Sequence, residues 1–207
     1  MPRIADILTT LESLYPFDGK CFLNYSTPWQ LLFATILSAQ CTDACVNSVT
    51  ARLFVEFPTL EDFAAADIRE IENGVKQTGF FRVKARHLQE TARKLLHEYG
   101  GQVPSAIEQL TALGGVGRKT ANVVRGHIYK IPSIVVDTHV KRVSNRLGLV
   151  SQSDPVKIEL ELMEILPQEN WIAFNQQIIS HGRKTCTARK PLCAGCELQI
   201  FCGNPVV

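Results

Sequence analysis

Four cysteines close to the C-terminus constrain this 207-residue chain more than any other feature of its sequence. Cys186, Cys193, Cys196 and Cys202 are separated by six, two and five residues, so four thiols converge within one short segment. Zinc sites more often use two separate Cys-x-x-Cys knuckles, whereas a compact run with a single Cys-x-x-Cys favours an iron–sulfur cluster. The spacing therefore favours a cluster and leaves a zinc ion or unligated thiols as alternatives.

Cysteine usage and the N-terminal residues together indicate a reducing compartment. The segment Met1–Asp6 places an acid where a secretory signal would continue its apolar run. We therefore expect a cytoplasmic location, in which cysteines serve as metal ligands or buried thiols rather than as disulfides. Cys21, Cys41 and Cys45 are expected to be plain buried thiols. No apolar stretch reaches the roughly 18 residues that a membrane span needs, so no membrane contact is expected.

Helix-start signals occur throughout the chain and predict an all-α fold. Each is a capping side chain ahead of a run with helical apolar spacing. They are Thr27 with Pro28 and Gln30, Asp43, Thr59, Asp67, Ser105 with Glu108, and Asp154 with Pro155. Gly100 and Gly101 are predicted to end the amphipathic stretch 83–99. Only Ile134–Val136 looks strand-like, and three residues do not make a sheet.

Positive charge is concentrated in the second half of the chain, although the net charge is only +2. Between Arg118 and Lys190 there are 12 lysines and arginines against 6 acidic residues. Such a stretch suits the phosphate backbone of a nucleic acid. A solvated helix surface would have the same composition, so charge alone leaves both interpretations open.

A glycine-rich segment, Leu113–Thr120, lies between two predicted helices. Its glycines let the backbone approach a partner closely, and the amides at the start of the second helix can hold an anion such as a DNA phosphate. The unit predicted here is helix, hairpin, helix. A simple turn between packed helices fits the same residues.

Lys119 gives this hairpin a chemical interpretation. It lies at the N-terminal end of the second helix, where the helix dipole and Arg118 both disfavour the ammonium form. A neutral amine is a nucleophile that can form a Schiff base with an aldehyde-like carbon. A lysine that only contacts phosphate remains the alternative.

Asp137 follows the apolar residues Ile134–Val136 and precedes a predicted helix with the basic residues Lys141, Arg142 and Arg146. It could cap that helix. As a catalytic carboxylate it would stabilise a developing sugar cation and assist proton transfer at the same carbon, and it could do both. His139 is predicted to be a structural hydrogen-bonding residue rather than a catalyst.

Four motifs, taken in order, resemble the endonuclease III family over nearly the whole chain. They are Leu37–Asp43, Arg118–Asn122 at the end of the hairpin, Val136–His139, and His181–Arg183 before the cysteines. The resemblance implies a helix-hairpin-helix DNA glycosylase with two lobes and a DNA-binding cleft between them. On that pattern residues 21–132 form a six-helix lobe with the hairpin, and residues 1–20 plus 133–207 form a lobe with a [4Fe-4S] cluster held by the four cysteines.

The resemblance also implies the activity, a bifunctional DNA glycosylase/AP lyase of base excision repair. Such an enzyme flips an oxidised pyrimidine out of the duplex, because the sugar carbon under attack is shielded in the stack. Lys119 would attack C1′ and expel the base, and Asp137 would assist the β-elimination that breaks the strand 3′ to the lesion. The implied partner is duplex DNA with damaged pyrimidines or abasic sites. The implied setting is a monomer in a bacterial or archaeal cytoplasm, at the nucleoid, and a monovalent cation at the hairpin stays open.

The residues that the resemblance places on DNA come from several motifs. Gln40 would fill the gap left by the flipped nucleotide. Phe80, in Gly-Phe-Phe where the family commonly has Gly-Leu-Tyr, would be an inserted apolar wedge, with a core phenylalanine as the alternative. The remaining expected DNA contacts are Gly115, Gly117, Arg118, His139, Arg142, Arg183, Arg189 and Lys190.

Some residues depart from the family pattern. Gly114 stands where a proline is usual, which should loosen the hairpin. Lys130 stands near the position of a helix-closing glycine, and a left-handed conformation there would cost about 1 kcal/mol. Arg125 and His127 replace a small polar pair. These changes bear on substrate range and rate; the rival functions are a monofunctional glycosylase and a non-catalytic iron–sulfur protein that binds damaged DNA.

Overall fold

The computed structural model describes residues 4–203 of the chain, and within them it contains eleven α-helices. These are α1 (Ile4–Leu14), α2 (Pro28–Leu37), α3 (Asp43–Glu56), α4 (Leu60–Ala65), α5 (Ile68–Val75), α6 (Phe81–Tyr99), α7 (Ile107–Thr111), α8 (Arg118–Tyr129), α9 (Thr138–Arg146), α10 (Pro155–Ile165) and α11 (Trp171–Lys184). Short 3₁₀ turns lie at Lys76–Thr78, Gln168–Asn170, Cys193–Gly195 and Gln199–Phe201. Residues 4–203 contain no β-strand, so the all-α prediction is confirmed.

The chain divides into two compact units, residues 21–130 and the described residues up to 20 together with those from 131 onward. We call them the hairpin unit and the cysteine unit. The hairpin unit contains seven helices, α2 to α8, where the family resemblance implies six. The start signals at Thr59 and Asp67 account for the separate short helices α4 and α5.

The hairpin unit is built around α2, which is apolar on nearly all sides. Every residue from Leu31 to Leu37 is buried, as expected of a helix that has no polar face to turn toward water. The long helix α6 packs against α2, α4 and α5. Beside them Trp29, Phe33 and Phe63 meet edge to face, with ring centroids 4.9–5.8 Å apart, a geometry that aromatic rings favour.

In the cysteine unit α11 packs against α1 and α9. Its Asn175 side chain accepts from the Val135 amide at 2.9 Å and donates to the Ser133 carbonyl at 2.8 Å. The strand-like residues are therefore an extended segment whose backbone pairs with a side chain instead of a neighbouring strand. This segment leads directly into α9 and fixes where that helix begins.

Most predicted helix starts are confirmed. Thr59, Asp67 and Asp154 each accept a hydrogen bond from a backbone amide of the first turn. Two predictions are wrong by one residue. The cap of α3 is Thr42, whose hydroxyl accepts from the Cys45 amide at 3.3 Å, so Asp43 is the first helical residue, where its charge still suits the helix dipole.

The other shifted start is that of α7. Its cap position is Ala106 rather than Ser105, and no side chain of the described residues caps it. At the far end of α6, Gly100 and Gly101 take left-handed conformations, which confirms the predicted stop. Among residues 4–203 no helix has both the length and the apolarity to cross a membrane.

Lys130 closes α8 with a left-handed backbone, at φ 54° and ψ 25°. Since this conformation costs a residue with a Cβ about 1 kcal/mol, we expect Lys130→Gly to raise the free energy of unfolding by up to about that amount. Lys76→Gly is the matched control, because Lys76 is right-handed at φ −51° and a glycine there should destabilise. Urea unfolding followed by circular dichroism measures both, and shifts of the same sign would contradict the assignment.

Candidate functional site

The hairpin between α7 and α8 is anchored by two buried residues, Leu113 and Val116. The Val116 amide donates to the Leu113 carbonyl at 3.2 Å, which closes the turn. Between them Gly115 has φ 76°, and a Cβ there would lie 2.6 Å from Nδ1 of His87. Both the backbone conformation and the available space therefore require glycine at this position.

Gly114 lies against the same histidine of α6. A Cβ on Gly114 would lie 3.1 Å from Cδ2 of His87, so a larger residue would need that ring to shift by a few tenths of an ångström. The close contact between hairpin and α6 gives a steric reason for glycine where the family usually has proline. Greater mobility of the turn stays a prediction.

Helix α8 begins after a glycine. Gly117 is its cap residue, with φ −91° and ψ 178°, and it has no side chain with which to accept from the first amides. The first amides of a helix lack partners within it and carry a partial positive charge. Gly117, Arg118 and Lys119 are all exposed, so a primary amine and an anion-binding helix end lie next to each other at the surface.

Asp137 caps α9, as one of its two predicted roles requires. Its Oδ1 accepts from the amides of His139 and Val140, both at 2.8 Å. Its Oδ2 lies 3.0 Å from Nδ1 of His139, and its side chain remains 14% exposed. The carboxylate is thus held in one orientation with one edge still open to solvent, and His139 is the structural hydrogen-bonding residue that the sequence predicts.

Gln40 and Phe80 share an unusual backbone. They are two of the three residues other than glycine with positive φ in the described chain, at 53° and 46°. Gln40 is exposed and Phe80 is 67% exposed, so the alternative of a core phenylalanine is wrong. Backbone strain of this kind costs about 1–3 kcal/mol and is concentrated at functional sites.

The basic residues of the cysteine unit fall into two groups. Arg183, Arg189 and Lys190 are exposed. Arg142 is partly buried, and its guanidinium donates to the carbonyls of Gly182 at 2.8 Å and Cys186 at 3.0 Å. Its side chain therefore binds this chain's own backbone, and a contact of Arg142 with DNA stays a prediction.

The four cysteines line one cavity. Cys186 Sγ accepts from Nη1 of Arg146 at 3.3 Å, and Cys196 Sγ lies 3.7 Å from Nε2 of His181. Burial, together with the three neighbouring cysteines, raises the pKa of the Cys196 thiol. Four thiolates brought together need a cation or a cationic cluster to offset their repulsion.

The arrangement of these sulfurs bears on what they could hold. A zinc ion needs its sulfur ligands about 2.3 Å from a single point. Among residues 4–203 no group of three or more histidine, cysteine or acidic side chains is arranged to hold one metal ion. Four thiols that line one cavity, with an arginine donating to one of them, are a donor set that both a zinc ion and an iron–sulfur cluster can use.

Sequence reasoning missed Lys84, which is 4% exposed. Its Nζ donates to the carbonyls of Leu37 at 2.8 Å and Thr78 at 2.7 Å. One signal could have found it: Lys84 lies four residues before Leu88 and eight before Ala92, on the buried stripe of α6. A lysine on an apolar stripe is exceptional, because burial of its charge is costly.

Comparison with known proteins identifies the family. The sequence-family model described as "HhH-GPD superfamily base excision DNA repair protein" matches residues 33–168. An Endonuclease III from Synechocystis is 51% identical over 97% of this chain and 91% of its own length, and one from Bacillus subtilis is 40% identical over 98% and 92%. The chain belongs to the endonuclease III family.

Two solved structures of this family resemble the chain throughout. A trapped Endonuclease III–DNA covalent intermediate with an estranged adenine has a TM-score of 0.91 and 41% identity, covering 97% of this chain and 94% of that one. A non-covalent Endonuclease III–DNA complex gives the same values. A thermostable thymine-DNA glycosylase, at 24% identity and a TM-score of 0.83, shares the fold.

His127 makes a testable contribution to pH dependence. Burial, followed by the charge of Lys130, lowers its pKa from 6.5 to about 4, and its Nδ1 is buried without a hydrogen-bond partner in the described residues. The unfolded chain therefore binds this proton more tightly, and stability falls as the pH drops from 6.5 toward 4. When the pH falls from 7 to 5, we expect the free energy of unfolding of His127→Gln to decrease by about 1–2 kcal/mol less than that of wild type.

Urea unfolding at the two pH values measures this effect. His97→Gln is the control, since His97 is exposed in the last turn of α6 and its replacement should leave the pH dependence unchanged. Equal losses in wild type and His127→Gln would contradict the prediction.

Proposed function

We propose that this protein is a bifunctional DNA glycosylase/AP lyase that removes oxidised pyrimidines from duplex DNA and cleaves the strand 3′ to the lesion. The observation that carries the proposal is its similarity, over 97% of the chain, to an Endonuclease III captured in a covalent intermediate with DNA. A covalent intermediate needs a nucleophile, and Lys119 offers an exposed primary amine at the start of α8. The helix start beside it follows a glycine cap, and helix N-termini of this kind bind phosphate.

The chemistry assigned to Lys119 has two stages. In the first, Nζ attacks C1′ of the flipped nucleotide, the C1′–N bond breaks, and the base leaves with a proton that Nζ gives up. The C1′–O4′ bond then breaks, O4′ takes a proton, and the resulting protonated imine between Nζ and C1′ makes the hydrogen on C2′ acidic. In the second, loss of that proton expels the 3′ phosphate, so the C3′–O bond breaks, and water later releases the lysine.

Asp137 is proposed as the assisting carboxylate. Its orientation is fixed by the α9 cap through Oδ1 and by His139, whose Nδ1 lies 3.0 Å from Oδ2. Oδ2 keeps a second lone pair with which it would stabilise positive charge on the sugar and accept or return a proton. Capping and catalysis use different oxygens of the same side chain. One residue can therefore perform both roles that the sequence left open.

The residues that we propose to contact DNA directly are those that are exposed to solvent. Gly115, Gly117 and Arg118 would bind a phosphate at the hairpin, and Arg183, Arg189 and Lys190 would bind phosphates from the cysteine unit. Gln40 and Phe80 would enter the duplex beside the flipped nucleotide. His139 and Arg142 would act mainly by orienting the groups they bind.

Borohydride trapping tests the role of Lys119. On a duplex with one oxidised pyrimidine, reduction of the imine should leave a covalent protein–DNA band with wild type and none with Lys119→Met. Lys130→Met is the matched control at the other end of α8 and should trap as wild type does. A folded wild type that gives no band, on this lesion or on an abasic site, would leave a monofunctional glycosylase or a non-catalytic DNA-binding protein.

We further propose that Cys186, Cys193, Cys196 and Cys202 hold a [4Fe-4S] cluster. When bound, the cluster supplies structural cross-linking and no redox chemistry on the substrate. The loop with Arg189 and Lys190 lies between the first two ligands and would be held in place by it. We place the enzyme as a monomer in a bacterial cytoplasm, at the nucleoid.

Metal analysis tests the cluster. Protein purified without oxygen should be brown and contain about four iron atoms per chain, and Cys196→Ser should lose most of the iron and the visible absorbance. Cys21→Ser, which alters a cysteine of the hairpin unit, is the control and should retain both. One zinc ion per chain in place of iron would overturn the assignment.

A further inference from the structure

We propose that Lys84 is a positioning residue that joins the two turns carrying Gln40 and Phe80, so that both side chains are presented to DNA as one rigid pair. The inference rests on the proposed function, because it assumes that these two side chains enter the duplex. All three residues belong to the hairpin unit.

The geometry places Lys84 between the two turns. Leu37, which accepts from Nζ at 2.8 Å, is the last residue of α2 and lies three residues before Gln40. Thr78, which accepts at 2.7 Å, ends a 3₁₀ turn two residues before Phe80. The backbone amide of Lys84 also donates to the Phe80 carbonyl at 3.1 Å. One residue thus holds the carbonyl before each turn and the carbonyl of Phe80 itself.

The choice of a cation at this site needs a reason. Lys84 is 4% exposed on the buried stripe of α6, where an apolar side chain would avoid the cost of burying a charge. An apolar residue, however, would leave the Leu37 and Thr78 carbonyls without this donor, and buried carbonyls need one. Hydrogen bonds from an ammonium group are about twice as strong as those between neutral groups, so the two bonds offset part of the cost of burial, which lowers the pKa of Lys84.

The neighbouring thiols strengthen the connection. The Cys45 thiol donates to the carbonyl of Gln77, at 3.4 Å, from the first turn of α3. Cys41 directly follows Gln40, and the charge of Lys84 acts on both thiols. The 3₁₀ turn before Phe80 is therefore bound from α3 as well as from α6, and the segment that follows Gln40 belongs to the same cluster.

Rigid presentation matters because both turns are strained. Gln40 and Phe80 keep left-handed backbones that free residues other than glycine rarely adopt, and such conformations persist only where the surroundings fix them. Loss of the Lys84 bonds should let either turn relax. Each side chain would then be ordered only on binding DNA, and a misplacement of about 1 Å can cost up to about 100-fold in rate.

The test is the single-turnover rate of base excision by the cluster-containing enzyme on a duplex with one oxidised pyrimidine. Lys84→Met keeps the length but removes the donors, and we expect a rate about tenfold or more below wild type. Arg93→Met is the matched control, because Arg93 lies on the same helix and its Nε donates to the Ala64 carbonyl at 3.0 Å, away from both turns. It should keep the wild-type rate.

A double-mutant cycle separates positioning from a general loss of stability. In a background that carries both Gln40→Ala and Phe80→Ala, Lys84→Met should slow excision by less than about threefold, since both side chains that it positions are already absent. Independent, multiplicative losses would overturn the proposal, as would a folded Lys84→Met with the wild-type rate. If Lys84→Met does not fold, Lys84→Gln takes its place with the same criteria.

The single variants distinguish this inference from the proposed function. If wild type excises no base, or if Gln40→Ala and Phe80→Ala both excise at the wild-type rate, the roles assigned to those residues fail. If they slow excision and the Lys84 variants do not, only the present inference fails.

Discussion

The backbone groups at helix ends lack partners within the helix, and in a fold of short helices this constraint decides where chemistry can lie. The amides that open α8 follow a glycine, which has no side chain to cap them, and they lie beside Lys119. Asp137 uses one oxygen to satisfy the amides that open α9. Lys84 satisfies a carbonyl at the close of α2. The same bonds that complete the helices therefore also orient the groups to which we assign function.

Backbone strain has different meanings at different places in this chain. Lys130 is left-handed at the end of α8, a position that glycine fills without cost at the end of α6, so its strain is local to a helix stop. Gln40 and Phe80 are left-handed in exposed turns whose flanking carbonyls share one buried donor. It is that shared donor, and not the strain alone, that leads us to propose a function for these two turns.

Local signals in the sequence predicted the helices and the hairpin well, because capping, apolar spacing and glycine requirements act over a few residues. Thr59, Asp67 and Asp154 cap as expected, and Gly115 needs to be glycine. Contacts between distant segments could not be predicted in this way. The hydrogen bond from Lys84 to Leu37 joins residues that are 47 positions apart in the sequence, and no local pattern shows which distant group such a side chain will bind.

The basic helix α9 shows why charge counts do not identify DNA contacts. Arg142 and Arg146 contribute to the positive second half of the sequence, yet their guanidinium groups donate to the carbonyls of 182, 186, 187 and 188 and to the sulfur of Cys186. These bonds hold the start of residues 186–202, the segment that contains the four cysteines, to α9, the helix that Asp137 caps. The loop with Arg189 and Lys190 therefore begins from a fixed point. We therefore propose that the two arginines act on the phosphate contacts mainly by orienting the backbone.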